Sequence, residues 1–256
     1  MQRKASTGSC SVTARALQVL EAFAPDRPVL RLAEISRHAG LPLTTAHRLV
    51  KELADWGALE REPGGGYRIG LRLWEIASLA PRGLGLREAA MPHLSDLGHI
   101  TRENVQLAVR EELSVVYVER LAGRDAVRVL TRVGGRFDLA PTGLVLLAHA
   151  GQDVQEQVLS RPLVRHTEKT LCAPAEVRRA LAEVRRTGVA VSDRQVTMDA
   201  VSVAAAVYGP ENTVVAAVSV VAHADAVNPH ALAPLVQVAA RGISRALGAR
   251  LRSSVA

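Results

Sequence analysis

Residues 32–56 read LAEISRHAGLPLTTAHRLVKELADW, and this stretch determines how the amino-terminal part of the chain folds. Apolar residues recur at helical spacing over 32–39, and Gly40 then ends the helix as a residue in the left-handed conformation does. Pro42 opens another helix, because the N–H that proline lacks would stay unpaired in a first turn anyway. The pattern therefore predicts two helices joined by a tight turn.

The helix that begins at Pro42 and runs to about Trp56 has two different faces. Its buried face is predicted from apolar residues at spacings of three and four: Ala46, Leu49, Val50 and Leu53. The opposite face carries hydroxyl groups and cations, which are donors that a helix needs in the major groove of DNA. Such a face on its own is more commonly only solvated. The candidate DNA contacts on it are Thr44, Thr45, His47, Arg48 and Lys51.

The residues on either side of this stretch decide whether the polar face of the helix contacts DNA or is only solvated. Residues 12–23 carry apolar side chains at helical spacing, and two extended segments, 59–61 and 67–69, flank a glycine-rich tip at 63–66. Three short helices followed by a hairpin predict a winged helix-turn-helix domain that binds DNA. The wing adds two candidate contacts to the DNA phosphates, which position a protein without reading sequence: Arg61 and Arg68.

A change of composition after the wing predicts a domain boundary. Residues 71–80 form an apolar helix, and the sequence PRGLG over 81–85 interrupts it. A helix with so many apolar residues is expected to be covered, either by a second copy of the chain in a dimer or by other parts of its own chain. We therefore divide the chain into four parts: a disordered tail over 1–10, a winged helix-turn-helix domain over 11–70, a linker helix and hinge over 71–85, and a carboxy-terminal domain over 86–256.

The carboxy-terminal part alternates between helical and strand-like patterns. Helices are predicted over 86–101, 143–149, 154–159, 174–187 and 229–251. Strands are predicted over 105–110, 114–120, 126–131, 189–193, 202–208 and 214–221, and the last two are so apolar that we place them inside a sheet. The predicted fold class is therefore α/β (α+β): a winged helix-turn-helix domain, a linker helix and a mixed α/β sheet domain.

The composition is that of an ordinary soluble protein and excludes several classes. The chain has 256 residues, 48% of them hydrophobic and 22% charged, so it can bury a core and is not intrinsically disordered. Its formal net charge of +7 favours a polyanionic partner such as nucleic acid without locating the contact. No signal peptide or membrane span is predicted. The two separated cysteines, Cys10 and Cys172, indicate a reducing cytoplasm rather than a disulfide framework or a zinc site.

No cofactor, metal site or catalytic group is predicted. His93 and His99 are six residues apart on a helix, a spacing that does not bring two metal ligands onto one face. The predicted strand ends carry no Ser-His-Asp order, metal-ligand spacing or paired carboxylates. We expect the chain not to be an enzyme, and an enzyme built on the sheet domain is the alternative from another functional class.

Several short motifs together resemble those of the IclR family of bacterial transcriptional regulators, and the resemblance covers nearly the whole chain. The amino-terminal motifs are Arg15-Ala16-Leu17, Ala33-Glu34-Ile35, Gly40-Leu41-Pro42, Thr44 to Leu49 and Tyr67-Arg68-Ile69-Gly70. The looser carboxy-terminal match runs through Val133-Gly134-Gly135, Thr142-Gly143, Gly188 to Asp193 and Val214 to Val220. The resemblance implies a GAF-like, effector-binding carboxy-terminal domain and a homo-oligomer, either a dimer or a dimer of dimers.

The resemblance also implies which residues bind the effector. In the family, small organic acids or aromatic compounds bind in the carboxy-terminal domain, and the matching positions here are Thr142, Gly143, Asp193, Ser202 and Ser219. Ser202 and Ser219 are equally consistent with ordinary strand serines. The chain departs from the family pattern at Ser202, where cysteine is typical, at Ala206, where proline is typical, and at Val221, where a small polar residue is common. The departures at Ala206 and Val221 predict an effector that is less polar than a two-carbon acid.

The sequence thus predicts a transcriptional regulator, and a repressor rather than an activator. It is expected to bind a pseudo-palindromic operator in double-stranded DNA and to respond to a small organic effector. Effector binding is expected to change the geometry of the subunits through the helix over 71–80. Two alternatives stay open: the enzyme, and a regulator that has lost effector control.

Overall fold

The computed structural model describes residues 11–80, 83–124, 126–137 and 141–250, without the side chains of residues 141 and 142. The tail predicted over 1–10 lies outside these ranges. The chain divides into two compact units, Met1–Gly83 and Leu84–Ala256, so the division falls inside the predicted 71–85 linker. Among the helices described, none is both long enough and apolar enough to cross a membrane.

The first unit has the predicted order of three helices, a hairpin and a further helix. Its elements are α1 (Val12–Glu21), α2 (Leu32–Ala39), α3 (Leu43–Trp56), β1 (Leu59–Arg61), β2 (Tyr67–Ile69) and α4 (Leu71–Ala77). Strands β1 and β2 pair in antiparallel register, with Leu59 opposite Ile69. Helices α1 and α4 end earlier than predicted, and α3 begins at Leu43 because the backbone of Pro42 is extended and precedes the first helical residue.

The turn between α2 and α3 depends on Gly40. Its backbone has φ of 65°, a left-handed conformation that is unfavourable for residues with a side chain, and its N–H donates to the carbonyl oxygens at the end of α2. The turn brings the apolar faces of the helices together around one small core. The fully buried side chains of that core include Val19, Ile35, Leu49 and Leu59.

Gly70 allows the wing to turn directly into α4. Its N–H donates to the carbonyl oxygen of Ala58 at 2.8 Å, which continues the hairpin by one residue. A Cβ atom placed on Gly70 would lie 2.2 Å from the carbonyl oxygen of Gly57, so no other residue fits unless the backbone moves. The motif Tyr67-Arg68-Ile69-Gly70 therefore ends in glycine because two backbone segments approach each other closely at this position.

The second unit is built on one antiparallel sheet. Its elements are α5 (Leu84–Thr101), β3 (Asn104–Glu111), β4 (Ser114–Leu121), β5 (Arg136–Phe137), α6 (Pro141–Ala148), α7 (Gln152–Leu159), α8 (Pro174–Thr187), β6 (Val189–Asp193), β7 (Ala200–Tyr208), β8 (Val214–His223) and α9 (Pro229–Ala246). The strand order is β5-β4-β3-β8-β7-β6. The prediction that the two most apolar strands lie inside the sheet is confirmed, since β7 and β8 each have a neighbour on both sides.

Each face of the sheet is covered by helices, which explains why β7 and β8 are apolar throughout. On one face, side chains such as Leu107, Val203 and Val220 pack with α5 and α9. On the other face, side chains such as Ala108 and Ala217 pack with α6 and α8. Small residues dominate this second face, so helix α6 can approach the sheet closely.

The strand predicted over 126–131 is wrong. The described residues of this segment are not in a sheet, and strand β4 pairs instead with β5, where Val115 lies opposite Phe137. The segment, which we call the 126–131 segment, is held by side chains of β3 and β4 rather than by a ladder of backbone hydrogen bonds. Alternating apolar residues therefore predicted a strand where the structure has none.

Candidate functional site

Helix α3 presents a polar face to solvent. Thr44, His47, Arg48 and Lys51 are exposed and occur at the spacing that places residues on one side of a helix, and Thr45 is half-buried beside them. The opposite side is fixed in the core of the first unit, where Ala46, Leu49 and Val50 are buried. All five predicted residues of this helix therefore lie on or beside one accessible surface.

Arg48 is paired within its own helix. Its Nη1 donates to Oε1 of Glu52 at 3.0 Å, one helical turn further on. Both side chains are more than half exposed, and an ion pair in water contributes little to stability. Arg48 can therefore exchange the Glu52 carboxylate for a DNA base or phosphate without a large loss.

The two wing arginines differ in their surroundings. Arg68 lies between two carboxylates, with Nη2 at 2.8 Å from Oε2 of Glu60 and Nη1 at 2.7 Å from Oε1 of Glu62. These carboxylates raise the pKa of Arg68 above its ordinary value. Arg61 is exposed on the neighbouring strand. The structure thus engages Arg68 in a network within the wing and leaves Arg61 facing solvent.

Glu60 connects the wing to helix α4. Its Oε1 accepts a hydrogen bond from the N–H of Leu71 at 2.9 Å, and its Oε2 accepts from Arg68. The hydrogen bond from Leu71, followed by that from Arg68, lowers the pKa of Glu60 below its ordinary value. A carboxylate on the wing therefore stabilises the first turn of the next helix.

Helix α4 and the turn that follows it have an apolar surface that the first unit does not cover. Leu71, Trp74 and Leu79 are 62%, 60% and 78% exposed, and Ile76 is half exposed. Four large apolar side chains within nine residues form the kind of surface that proteins usually cover with a partner.

The second unit contains a cavity of about 50 Å³ on the α6 and α8 face of the sheet. Its polar wall comes from strands β3, β6, β7 and β8, which contribute buried side chains: Gln106, Ser192, Ser202 and Ser219. Ser192 and Ser202 lie opposite each other in the ladder of β6 and β7. The Oγ of Ser219 is buried and has no hydrogen-bond partner among the residues described.

The rest of the cavity lining is largely apolar. It comes from loops and strand ends, and includes Val129, Leu130, Phe137, Val196 and Val221. Arg128 is the one charged side chain that the described residues contribute to the lining, and it is exposed to solvent. The described lining thus combines buried neutral hydroxyl groups with apolar side chains and one exposed cation.

The 126–131 segment forms one wall of the cavity and is fastened by three side chains. The Nδ2 of Asn104 donates to the carbonyl oxygen of Val127 at 2.7 Å, and the Nε2 of Gln106 donates to Oγ1 of Thr131 at 2.6 Å. Arg120 Nη1 donates to the carbonyl oxygen of Thr131 at 3.3 Å. The wall is therefore attached to the sheet at Val127 and Thr131, and no hydrogen bond to another described residue is found for residues 128–130.

The structure brings together only two of the residues proposed to bind the effector. Ser202 and Ser219 line the cavity, as does Val221. Asp193 does not: its side chain is half exposed and forms ion pairs with Arg194 at 2.7 Å and Lys169 at 3.8 Å. Gly143 is buried within α6 and does not line the cavity, and the side chain of Thr142 lies outside the description.

Sequence reasoning missed several lining residues: Gln106, Tyr117, Arg128, Thr131 and Ser192. Gln106 had a detectable signal, since it is a polar residue between the apolar Val105 and Leu107 in a strand that is buried on both faces. The described residues contain no group of three or more His, Cys, Asp or Glu side chains that could hold a metal ion.

Comparison with known protein families gives two matches that together span most of the chain. Residues 12–63 match the IclR helix-turn-helix domain. Residues 80–245 match the carboxy-terminal domain of the bacterial transcriptional regulator IclR. The first match contains α3 and the second contains the cavity.

Individual relatives give the same result over nearly full length. The transcriptional regulator XynR of Escherichia coli is 30% identical over 241 residues, which is 91% of this chain and 96% of XynR. The transcriptional repressor IclR of Escherichia coli is 25% identical over 222 residues, 84% of this chain and 82% of the repressor. A crystal structure of an IclR homolog from Microbacterium hydrocarbonoxydans, complexed with 4-hydroxybenzoate, is 39% identical with a TM-score of 0.89, covering 93% of this chain and 99% of the homolog.

Proposed function

Because this chain belongs to the IclR family of DNA-binding transcriptional regulators with an effector-binding carboxy-terminal domain, we propose that it is a repressor controlled by a small aromatic acid. In this proposal it binds a pseudo-palindromic operator as a homodimer or a dimer of dimers, in the cytoplasm where the chromosome lies. The likeness to the repressor IclR supports the direction of control. The observation that carries the proposal is the exposed polar face of α3 on a buried apolar support.

Helix α3 reads the operator in the major groove. Arg48 binds a guanine through its O6 and N7, which is the commonest base contact of an arginine. Thr44, Thr45, His47 and Lys51 supply further contacts to base edges and phosphates from the same surface. Glu52 competes with the DNA for Arg48 in the free protein.

The wing contributes contacts that do not depend on sequence. Arg61 binds a phosphate, because it is exposed on the outer strand of the hairpin. Arg68 first has to leave Glu60 or Glu62 before it can bind a phosphate. We therefore assign Arg61 the larger share of the wing's affinity.

Two copies of the chain associate through helix α4. The apolar residues Leu71, Trp74, Ile76 and Leu79 provide the surface, and a C2 axis that relates two copies of α3 matches a pseudo-palindromic operator. In this arrangement residues 71–85 act as the linker, because a change in the geometry of the two subunits changes the positions of both copies of α3 at once.

The effector binds in the cavity of the second unit, in contact with Ser202 and Ser219. The apolar lining favours a ligand with an apolar body over a two-carbon acid, and the homolog that is complexed with 4-hydroxybenzoate supports an aromatic acid. Of the other residues that the family resemblance implies, Gly143 and Asp193 do not line this cavity, and the side chain of Thr142 lies outside the description.

Fluorescence anisotropy tests the proposal. The full chain is titrated onto the DNA upstream of its own gene and onto an unrelated fragment of equal length, at one fixed salt concentration because nonspecific affinity depends steeply on salt. We expect a preference of about a hundredfold or more for the upstream fragment. We also expect this preference to fall when 4-hydroxybenzoate is added.

Two other results would each support a different function. An unchanged preference with 4-hydroxybenzoate, together with no thermal shift on a panel of organic acids, would favour a regulator that has lost effector control. Absence of binding to either DNA, with turnover of an organic acid, would favour the enzyme. Arg48→Ala serves as the control, because loss of the preference in this variant links the signal to α3.

A further inference from the structure

Strand β4 connects the wall of the cavity to helix α5 through two neighbouring residues, Glu119 and Arg120. Arg120 lies opposite Gln106 in the ladder with β3, and Gln106 lines the cavity. Glu119 lies opposite Leu107, which packs on the other face of the sheet with α5 and α9. Because neighbouring residues of a strand point to opposite faces, these two side chains reach both sides of the sheet.

On the cavity side, the guanidinium group of Arg120 holds one end of the 126–131 segment. Its Nη1 donates to the carbonyl oxygen of Thr131 at 3.3 Å, and its Nη2 donates to Oδ1 of Asn104 at 3.5 Å. The Nε of Arg120 is buried and has no hydrogen-bond partner among the described residues. A buried donor without a partner is unfavourable, so a position of the wall that gives Nε an acceptor can compete with the position observed.

On the other side of the sheet, the carboxylate of Glu119 binds the first turn of α5. Its side chain is only 10% exposed, its Oε2 accepts a hydrogen bond from Nε of Arg87, and its Oε1 accepts from the N–H of Arg120 at 2.8 Å. A carboxylate buried to this extent depends on its counter-charge, which ties it to Arg87. Helix α5 begins at Leu84, the first residue of the second unit, so Arg87 lies in the turn that follows the linker in sequence.

The ladder between β3 and β4 is interrupted beside these residues. Leu107 lies opposite Glu119 and Ala108 lies opposite Tyr117, so Val118 is an extra residue in β4. A β-bulge of this kind disrupts the pairing locally and bends the strand, and bulges are frequent next to functional sites. At this point β4 can therefore shift more readily than a regular ladder would allow.

We infer that Arg120, Glu119 and Arg87 are positioning residues that transmit a displacement of the cavity wall to the first turn of α5. This inference rests on the proposed function, which makes the cavity the effector site and residues 71–85 the linker. A ligand that displaces the 126–131 segment changes the hydrogen bonds of Arg120, and the carboxylate of Glu119, which is bonded to the N–H of Arg120, moves with Arg87. None of the three is among the described residues that line the cavity, so they control the response to an effector rather than its affinity.

Hydrogen exchange followed by mass spectrometry tests this route in the full chain without an effector. Asn104→Ala releases the wall, because it removes the donor that holds Val127 and an acceptor of Arg120. We expect exchange to become faster by about threefold or more in residues 84–90 as well as in the 126–131 segment.

A second background removes the ion pair. Arg87→Met combined with Glu119→Gln leaves no unpaired buried charge, and the amide oxygen that replaces the carboxylate can still accept from the N–H of Arg120. In this background Asn104→Ala is expected to accelerate exchange in the wall and to leave residues 84–90 unchanged.

The matched control is a different ion pair of the same unit. Arg178→Met combined with Glu156→Gln removes an exposed pair, 2.8 Å long, between α8 and α7. The response of residues 84–90 to Asn104→Ala is expected to persist in this control. Residues 236–243 of α9 are the internal reference, because their exchange reports the stability of the second unit as a whole.

Three results would overturn the inference: no response of residues 84–90 to Asn104→Ala, a response that persists without the Arg87 and Glu119 pair, or an equal acceleration in residues 236–243. None of these measurements needs an effector or an operator, so their failure is distinguishable from failure of the proposed function. In the anisotropy test, the chain without the ion pair is expected to bind 4-hydroxybenzoate and its operator within about twofold of the unsubstituted chain, while 4-hydroxybenzoate no longer lowers operator affinity.

Discussion

Glu60 and Leu71 are joined by a hydrogen bond of 2.9 Å that fastens helix α4 to the wing. The same carboxylate binds Arg68 on the opposite strand of the hairpin. Glu60 thus binds the hairpin and the following helix at once, and it restrains the first turn of α4 relative to the wing within the first unit.

The first prediction concerns acid stability. The pKa of Glu60 is lower in the folded protein than its ordinary value of 4.5, so its contribution to stability is present above that value and is lost as the pH falls through the folded pKa. Glu60→Gln should therefore lower the melting temperature of the first unit near neutral pH, and the difference from the unsubstituted chain should shrink as the pH falls through the lowered pKa of Glu60.

Tryptophan fluorescence is the measurement for this prediction, since the two tryptophans of the chain, Trp56 and Trp74, both lie in the first unit. Glu75→Gln, on the exposed side of α4, is the matched control and should melt like the unsubstituted chain at each pH. A difference for Glu60→Gln that stays constant from neutral to acid pH would mean that the carboxylate charge is not involved.

The second prediction concerns the close approach at Gly70. Gly70→Ala should destabilise the first unit by about 1–3 kcal/mol or more, because its Cβ would meet the carbonyl oxygen of Gly57 at 2.2 Å. Gly64→Ala is the control, since a Cβ on Gly64 has nothing within 4 Å. Urea denaturation followed by tryptophan fluorescence gives both values, and equal midpoints for the two variants would contradict the packing argument.

The third prediction concerns Arg48 and its intrahelical partner. Arg48→Ala should weaken operator binding by about 1–3 kcal/mol and relax the preference at one base pair if Arg48 binds a guanine. Glu52→Gln should strengthen binding a few-fold, because it frees Arg48 and removes a charge of the same sign as DNA. Anisotropy on the operator and on single-base variants distinguishes the cases, and an equal loss of affinity on every DNA would indicate a phosphate contact.

The fourth prediction concerns the attachment of the cavity wall. Asn104 is buried and donates to the carbonyl oxygen of Val127 at 2.7 Å, so Asn104→Ala should destabilise the second unit by about 1–3 kcal/mol and free the 126–131 segment. Hydrogen exchange followed by mass spectrometry should show faster exchange in that segment. Gln157→Ala, an exposed amide on α7, is the control, and unchanged exchange after Asn104→Ala would show that the remaining bonds suffice.

Local periodicity was enough to predict most elements of the fold. Helices α2 and α8 and strands β1, β2 and β6 begin and end where their apolar spacing and flanking glycines predict. The 126–131 segment was mispredicted because its partners, Asn104, Gln106 and Arg120, are distant in sequence and act through side chains. A short alternating pattern does not distinguish a strand from a segment held in this way.

The cavity was harder to predict than the fold because both faces of the sheet are buried. In strand β6, Ser192 lines the cavity while its neighbour Asp193, the predicted residue, lies outside it. Neighbouring residues of a strand point to opposite faces of the sheet, so an assignment that is wrong by one residue places the side chain on the wrong face. The sequence shows which residues share a face only where one face is polar and the other apolar. Ala206 packs among the small residues beneath the helices rather than in the cavity, so its departure from the family pattern concerns packing more than ligand polarity.

The way in which the 126–131 segment is attached to the sheet also affects which of its residues can change in sequence. A wall built from a sheet strand could not change its sequence freely, since an altered register would turn every side chain to the wrong face. Here the anchors are in the neighbouring strands, and they bind the backbone of Val127 and both the hydroxyl group and the backbone of Thr131. Residues 128–130 take no part in a strand ladder, so we expect substitutions there to change the lining of the cavity at little cost to the sheet.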